Sequence, residues 1–293
     1  MVLAIDIGGT KLAAALVDGT GSIVGAEHVA TPETHEAEAV FGALAMLVTE
    51  VRSKTSLAPD VCGVGCGGPM LPGGETVSPL NIRAWVDFPL RDRLAAETGL
   101  LVAVDNDAKA LALGEGWLGA AQGLDNYLAM VVSTGIGAGI VLDGRLLDGA
   151  QGNAGHIGHV VVEPDGRVCV CGGRGCLEAE ASGLSIEAMT GHPASEAPEP
   201  VRRRTGTLTG RAVASVANLL DLQLAVVAGS VALGFGRSFF DAAQEEIGRR
   251  ARLDFSRATR IIPAGLGADG PLVGAAVVGR RALSAVAAGR SLS

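Results

Sequence analysis

Short apolar runs alternate with tight polar turns at the start of the chain. The apolar runs lie at 2–7, 12–17 and 23–28, and the turns between them lie at 8–10 and 18–21. Runs of this length between glycine-rich turns are typical of β-strands, so we predict a three-stranded meander. The two glycines of the first turn let backbone N–H groups approach an anion closely. An ordinary hairpin turn is the alternative interpretation.

The same pattern returns in the middle of the chain. A predicted strand at 127–133 leads into the glycine-rich turn 133–139, a second strand at 140–142 and an Asp-Gly turn at 143–144. Two hairpins of the same design predict a duplicated fold, and the repetition favours both glycine-rich turns as phosphate-binding loops.

The remaining pattern mixes buried apolar runs with helical periodicity, which is typical of an α/β protein. Further strands are predicted at 61–64, 101–104, 224–228 and 261–263, and helices at 34–54, 108–117, 211–220, 239–252 and 271–286. Residues 190–209 are rich in Pro, Glu, Arg, Thr and Gly and are predicted to form a mobile or surface segment.

Composition narrows the class of protein. The chain has 293 residues, 48 % of them apolar, which is enough for one large domain or two medium ones. Its net charge of −8 argues against nucleic-acid binding, which needs a basic surface. No apolar run is long enough for a bilayer and the N-terminus lacks a basic signal-peptide region, so we expect a soluble cytoplasmic protein without a membrane partner.

One histidine and three cysteines form a compact set of soft metal ligands. His159, Cys169, Cys171 and Cys176 are separated by 10, 2 and 5 positions. Three thiolates and one imidazole complete a tetrahedral structural zinc site and leave no position for a catalytic water. A disulfide or idle thiols are the alternative, but a Cys-x-Cys pair strains disulfide geometry. His156 and Glu178 flank this loop, which would hold them in place.

Carboxylate and amide side chains follow the strand predicted at 101–104. Two acidic residues and an amide, Asp105, Asn106 and Asp107, open the next predicted helix. Side chains at the carboxyl end of a strand face the ligand crevice of an open α/β sheet, whereas helix capping needs only one of them. Asp6, at the end of the first strand, could hold a hydrated Mg²⁺.

Four further positions have weaker indications of a role. Asn81 could bind a polar ligand or simply stabilise a turn, and Gly229, after the strand at 224–228, is a candidate for contact with a nucleotide. Cys62 and Cys66 resemble half a metal site, but no partner ligands are near in sequence, so we expect buried thiols.

Taken together, these motifs resemble the ROK family of sugar kinases and repressors nearly from end to end. The markers are Asp6-Ile7-Gly8-Gly9-Thr10-Lys11, the stretch 78–85, Asn106-Asp107, Thr134-Gly135-Ile136-Gly137, and His159 with Cys169, Cys171, Cys176 and Glu178. The resemblance implies a two-lobed actin-like (ribonuclease H-like) α/β fold with a zinc-binding loop that closes over ATP and a hexose, and a homodimer. We place the smaller lobe at 1–116, with a closing helix at about 278–293 packed on it, and the larger lobe at 117–277.

The resemblance also implies a role for each matching position. Asp107 would be the catalytic base, and Asp6 would help to place the Mg²⁺ that accompanies ATP. Contacts to the hexose or N-acetylhexosamine would come from Gly68, Asn81, Asn106, Asp107, His156, His159 and Glu178. Contacts to ATP would come from Asp6, Gly8, Gly9, Thr10, Lys11, Thr134, Gly135 and Gly229.

Two positions depart from the kinase pattern. His156 stands where the family carries a glutamate, and a neutral imidazole accepts only one hydrogen bond. An unpaired buried sugar hydroxyl costs about 1–3 kcal/mol, so we expect an altered hexose or amino-sugar preference. Gly67-Gly68 replaces a Pro-containing run of the glucokinases and resembles the N-acetylmannosamine kinase branch.

The first hypothesis is therefore an ATP-dependent sugar kinase. A non-catalytic sugar-binding sensor of the same fold is the alternative, motivated by His156 and opposed by the intact Asp107. A repressor would need an added helix-turn-helix, for which the turn after Asp6 leaves no room, and a polyphosphate-dependent kinase would need a basic channel that the charge distribution does not indicate.

Overall fold

Ten strands form two five-stranded sheets in the computed structural model, which describes residues 1–289. The strands are β1 (Val2–Ile7), β2 (Lys11–Val17), β3 (Ile23–Ala30), β4 (Val61–Cys66), β5 (Val102–Asn106), β6 (Tyr127–Val132), β7 (Ile136–Leu142), β8 (Arg145–Leu146), β9 (Leu224–Ala228) and β10 (Arg260–Pro263).

The two sheets have the same topology. The first has the order β3-β2-β1-β4-β5, with antiparallel pairing between β1, β2 and β3 and parallel pairing between β1, β4 and β5. The second has the order β10-β9-β6-β7-β8 and repeats this pattern strand for strand. The predicted duplication is therefore confirmed.

Nine α-helices accompany the sheets within residues 1–289. They are α1 (Ala37–Ser53), α2 (Leu90–Thr98), α3 (Asp107–Leu118), α4 (Leu177–Ala181), α5 (Gly183–Thr190), α6 (Glu199–Leu220), α7 (Ser230–Phe235), α8 (Arg237–Arg250) and α9 (Gly270–Ala287). None of these helices is both long enough and apolar enough to cross a bilayer.

The prediction of a surface segment at 190–209 is wrong from residue 199 onward. Helix α6 begins there and buries Thr205, Gly206 and Thr209. Proline is favoured in the first turn of a helix, where its missing N–H has no intrahelical partner anyway, and Pro200 takes that place. Polar and small residues on the buried face hide the apolar periodicity that would have indicated a helix.

The chain divides into two compact units. The first contains Met1–Leu118, Asp148–Ala154 and the described residues from Ala268 onward, and the second contains Gly119–Leu147 and Gly155–Gly267. The sequence analysis placed 148–154 and 268–277 in the larger lobe, whereas both belong to the first unit. Residues 290–293 of the predicted closing helix lie outside the described part of the chain.

In the first unit, each face of the sheet has its own core. Helices α1 and α2 cover one face together with Trp85 and Phe88, whose rings stack 4.5 Å apart. Helix α9 covers the other face through Leu272, Ala275 and Ala276. In the second unit a single core of strand residues and of helices α6 to α8 surrounds the fully buried Phe239.

Helix α9 lies in backbone contact with β4. A Cβ atom added at Gly63 would lie 2.0 Å from the carbonyl oxygen of Ala275 and 2.5 Å from the backbone nitrogen of Gly279. Only glycine permits this approach, because the opposing atoms are backbone and cannot rotate away.

Gly63→Ala is therefore expected to lower the free energy of unfolding by about 3 kcal/mol through overpacking. Gly42→Ala, in helix α1, is the matched control: the added methyl meets no atom within 4 Å. Alanine favours the helix, so this control should gain about 0.5–1 kcal/mol. Urea unfolding of both variants checks the prediction, and equal stabilities would contradict it.

Candidate functional site

The first glycine-rich turn joins β1 to β2 and is held by hydrogen bonds at both ends. The Gly8 N–H donates to the Lys11 carbonyl at 2.9 Å, and the Thr31 hydroxyl donates to the Gly8 carbonyl at 2.7 Å. The Thr31 N–H donates to the Thr10 carbonyl at 3.1 Å. These bonds fix the turn, whose Thr10 is exposed.

Asn81 lies directly against this turn. A Cβ atom at Gly9 would approach the Cβ atom of Asn81 to 2.5 Å, so only glycine fits there. The strand-like pairing of 68–70 with 77–80 brings Gly68 nearby, since the Leu80 N–H donates to the Gly68 carbonyl at 3.3 Å. The structure thus brings together three parts of the predicted site that are far apart in sequence.

Asp6 and Asp107 form an acidic pair at the ends of β1 and β5. A Cβ atom at Gly65 of the intervening strand β4 would lie 3.8 Å from Asp6 Oδ1 and 3.6 Å from Asp107 Cα. Burial, and then the charge of Asp107, raise the pKa of Asp6 to about 7, although Lys11 opposes the shift. The same two carboxylates, after burial, raise the pKa of the Cys66 thiol.

Asn106 and Asp107 also cap helix α3. The Ala108 N–H is shared between Asn106 Oδ1 at 3.1 Å and Asp107 Oδ1 at 2.8 Å. The helix-cap interpretation is therefore confirmed, and it is compatible with the ligand-site prediction, because capping leaves each side chain further acceptor capacity. Cys62 and Cys66 are buried free thiols, as predicted.

The second glycine-rich turn joins β6 to β7 in the second unit. Glu178 supports it: its Oε2 atom accepts the Ile136 N–H at 2.9 Å and would lie 3.0 Å from a Cβ atom at Gly135. The Ser133 carbonyl accepts the Gly183 N–H at 2.7 Å, and the Thr134 carbonyl accepts the Leu184 N–H at 3.4 Å.

Gly229 lies at the same sheet edge as this turn. Its φ angle is +101°, and a Cβ atom there would lie 2.3 Å from the Val132 carbonyl oxygen. The neighbouring Ser230 hydroxyl is 2.9 Å from the Ser133 hydroxyl. The structure therefore places Thr134, Gly135 and Gly229 together, as nucleotide-binding residues would have to be.

A glycine-flanked turn sets His156 and His159 against strand β7. Cβ atoms at Gly155 and Gly158 would lie 2.0 and 2.3 Å from the carbonyl oxygens of Ala138 and Ile136. The two imidazole rings are nearly parallel, with centroids 6.2 Å apart, and His156 is exposed. The Cβ atom added at Gly158 would also lie 3.4 Å from the Cβ atom of Glu178.

The four predicted metal ligands form one cluster. Their ligand atoms all lie within 4.8 Å of one another. The Cys169 sulfur is 3.7 Å from His159 Nδ1, and the Cys171 and Cys176 sulfurs are 3.7 Å apart. A disulfide S–S bond of about 2.05 Å is far shorter, and all three cysteines are free thiols. This donor set is compatible with a tetrahedral metal ion.

The sequence analysis missed the carboxylate that supports the metal loop. Glu180 is 2 % exposed and accepts hydrogen bonds from the Arg167 N–H at 2.6 Å and the Arg204 guanidinium at 2.7 Å. Burial alone would raise the pKa of Glu180, but these donors hold it below its usual value. The signal in the sequence is the basic run 202–204, which offers a cationic partner for a buried carboxylate.

Lys109 was missed as well, although it is the most buried cation of the first unit's site region. It lies two positions after Asp107 and is 2 % exposed. A single lysine in an otherwise apolar helix stretch could have indicated a buried ion pair.

The chain is similar to known proteins over most of its length. The model described as "ROK family" matches residues 2–282. An N-acetylmannosamine kinase of Yersinia pseudotuberculosis serotype O:1b (strain IP 31758) is 35 % identical over 250 residues, which are 80 % of this chain and 84 % of that protein.

Two solved structures are similar over almost the whole chain. A ROK family glucokinase from Streptomyces griseus, in complex with glucose and AMPPNP, has a TM-score of 0.84 and 31 % identity and covers 96 % of this chain and 99 % of its own. A ROK hexokinase from Thermus thermophilus has a TM-score of 0.83 and 33 % identity and covers 97 % of this chain and 99 % of its own.

Proposed function

The chain belongs to the ROK family, and we propose that it is an ATP-dependent kinase that phosphorylates a hydroxyl of a hexose or N-acetylhexosamine. The predicted actin-like α/β fold is confirmed by the solved structures similar to it. The observation that carries the proposal is Asp107, a carboxylate at the first position of α3 beside Asp6, where the family motif has its catalytic base.

Asp107 would accept the proton of the sugar hydroxyl. Its Oδ1 atom is held by the Ala108 N–H at 2.8 Å, which fixes the carboxylate for one attack geometry. Phosphoryl transfer depends mainly on positioning and on stabilisation of charge, and the hydroxyl proton can leave late. The carboxylate therefore needs no raised pKa to act as the base.

Within each unit, separate groups would contact the two substrates. In the first unit Asn81, Asn106 and Gly68 would contact the sugar, and the turn from Gly8 to Lys11 would contact ATP phosphates. In the second unit His156, His159 and Glu178 would contact the sugar, and Thr134, Gly135 and Gly229 would contact ATP. Glu178 has one oxygen on Ile136 N–H, and the carboxylate retains acceptor capacity for a hydroxyl.

We propose N-acetylmannosamine as the preferred sugar. The relative that is 35 % identical carries that name, and Gly67-Gly68 resembles the N-acetylmannosamine kinase branch, whose pattern would leave room for an N-acetyl group. His156 replaces the carboxylate of the glucose-binding pattern, so the hydroxyl opposite it meets an imidazole that offers one acceptor at most.

Asp6 and Asp107 fit the Mg²⁺ that accompanies ATP. Two carboxylates held this close, one of them with a pKa raised to about 7, form a site that a divalent cation would stabilise. Oxygen ligands are those that Mg²⁺ prefers, and it commonly keeps several waters. When bound with ATP, the ion would neutralise phosphate charge.

Zinc fits the Cys₃His cluster. With Zn–S bonds of about 2.3 Å, sulfur atoms in a tetrahedral site lie about 3.8 Å apart. The Cys171 and Cys176 sulfurs are 3.7 Å apart, as such a site requires. The ion would hold the loop that precedes Glu178 and would take no part in the chemistry. The homodimer and the cytoplasmic location stay predictions.

Turnover is expected from an ADP-release assay with Mg·ATP and a panel of glucose, mannose, fructose, allose, N-acetylglucosamine and N-acetylmannosamine. N-acetylmannosamine should give the highest kcat/KM.

Asp107→Asn should lower kcat by about 100-fold or more, because the general base is lost. Asp92→Asn, on an exposed side chain of the same unit, is the control and should leave kcat unchanged. Absence of turnover on every sugar, with sugar-dependent shifts in Tm, would favour the sensor instead.

His156→Glu is expected to shift the sugar preference toward glucose. The carboxylate restores two acceptor oxygens, which is worth about 1–3 kcal/mol for a buried hydroxyl and therefore about tenfold or more in relative kcat/KM. The measurement is the ratio of kcat/KM for glucose and N-acetylmannosamine in the variant and the wild type. An unchanged ratio would show that His156 does not select the sugar.

One zinc ion per chain is expected by native mass spectrometry. Cys171→Ser should lose it, with a Tm lower by about 5 °C or more, since a structural ion contributes folding energy. Cys62→Ala removes a buried thiol outside the cluster and should retain the ion. Iron in place of zinc, or full zinc occupancy in Cys171→Ser, would contradict the assignment.

A further inference from the structure

Lys109 is a buried ammonium with a partner for each of its three N–H donors. Its side chain is 3 % exposed. Nζ lies 2.6 Å from Asp148 Oδ1, 3.1 Å from Asp105 Oδ1 and 3.2 Å from the Gly152 carbonyl oxygen. A buried charge is stable only when it is paired and hydrogen-bonded, so these three contacts are coupled to one another.

Two of these partners, Asp148 and Gly152, belong to the segment 148–154. This segment is part of the first unit, although the residues directly before and after it belong to the second. The Asp148 carboxylate is bound by Lys109, and the Asp148 carbonyl accepts the Ala154 N–H at 2.9 Å. The position of Asp148 therefore sets that of Ala154, and the chain reaches His156 two residues later.

The segment 148–154 borders a cavity of the first unit. Asp148, Gly149 and Ala150 are exposed, and together with Lys109 they line a cavity of about 800 Å³ within the first unit. The Asn153 amide gives a second anchor, at 3.3 Å from the Met70 carbonyl. The ammonium is thus the principal charged contact that holds the segment against α3.

The third partner connects Lys109 to the predicted catalytic turn. Asp105 Oδ1 also accepts the Asn106 N–H at 2.8 Å, directly before Asp107. Burial raises the pKa of Asp105, and the charge of Lys109 acts against that shift. The one cation therefore contacts both the turn that presents Asn106 and Asp107 and the segment that leads to His156.

We propose that Lys109 is a positioning residue for sugar binding, which fixes the segment 148–154 and the Asp105–Asp107 turn to each other through its contacts with Asp148, Gly152 and Asp105. The inference rests on the proposed kinase function, because His156 and Asn106 are sugar contacts only in that function. Lys109 itself touches neither substrate.

The experiment compares Asp148→Asn, Lys109→Met and the double variant with the wild type. The Asp148 side chain is 59 % exposed, so Asp148→Asn is expected to fold even if Lys109→Met does not. Lys54→Met is the matched control, since Lys54 forms exposed ion pairs with Glu27 and Glu50 in the same unit. Hydrogen exchange of 148–156 and steady-state KM for sugar and for ATP are measured for each variant.

In Asp148→Asn the amides of 149–154 should exchange about tenfold faster, because local opening is easier without the ion pair. Sugar KM should rise about 3–10-fold while ATP KM stays within about twofold, which is the signature of lost sugar binding and not of general unfolding. Lys109→Met should have a larger effect, because it removes all three contacts of Nζ. The double variant should equal Lys109→Met, since Asp148→Asn affects only an interaction that Lys109→Met already removes.

Two results would overturn the inference: exchange of 149–154 in Asp148→Asn that equals the wild type, or a sugar KM that changes no more than in Lys54→Met. Equal rises in the KM values for sugar and ATP would show a merely structural role. Hydrogen exchange needs no turnover, so its outcome stands even if the wild type releases no ADP with any sugar, and in that case only the proposed function fails.

Discussion

Backbone contacts at glycine hold the helices against the strands, and the functional groups depend on them for their positions. In the first unit, a Cβ atom at Gly274 of α9 would lie 2.3 Å from the Ala110 carbonyl of α3, and Gly63 of β4 meets the same helix on the other side. Helix α9 therefore sets the distance between β4 and α3, and α3 begins with Asp107. In the second unit Gly155 and Gly158 allow the turn with both histidines to lie on β7. A methyl group at any of these positions would separate elements that carry site residues.

The sequence predicted best where structure follows from local chemistry. Apolar runs of 4–8 residues identified the strands, because they are short for a helix and are flanked by glycine turns, and the repeated hairpin indicated the duplication. Helix α2 and the first half of α6 were missed for a physical reason. Their buried positions include Thr98, Thr205 and Gly206, so burial there does not appear as apolar periodicity. The excursion of 148–154 into the first unit could not be predicted, because it depends on a contact with Lys109, which is distant in sequence.

Several site residues have a structural task in addition to the predicted one. Asn106 and Asp107 share the Ala108 N–H and so begin the helix that positions them, and Glu178 holds the N–H that ends the second phosphate-type turn. The sequence offered such tasks as alternatives to function. In the structure they are compatible, because a carboxylate or an amide oxygen has more than one lone pair. A side chain that is already held by the backbone loses less entropy when a ligand binds, which makes the structural bond useful to the site.

In the second unit, the loop that carries the four predicted metal ligands is connected to the second glycine-rich turn through Glu178. Cys176, a predicted metal ligand, is the N-cap residue of α4, and Glu178 follows in the first turn of that helix. Glu178 in turn accepts the Ile136 N–H at the start of β7. On the other side of the cluster, His159 Nδ1 faces the cysteine sulfurs, which leaves Nε2 as the nitrogen that can face a ligand. The metal-ligand cluster is therefore connected to the start of α4 through Cys176, and from there to the second glycine-rich turn through Glu178. Each of these connections is one hydrogen bond or one helical turn long, so a change in the cluster would act on the position of Glu178 and of the turn that it supports.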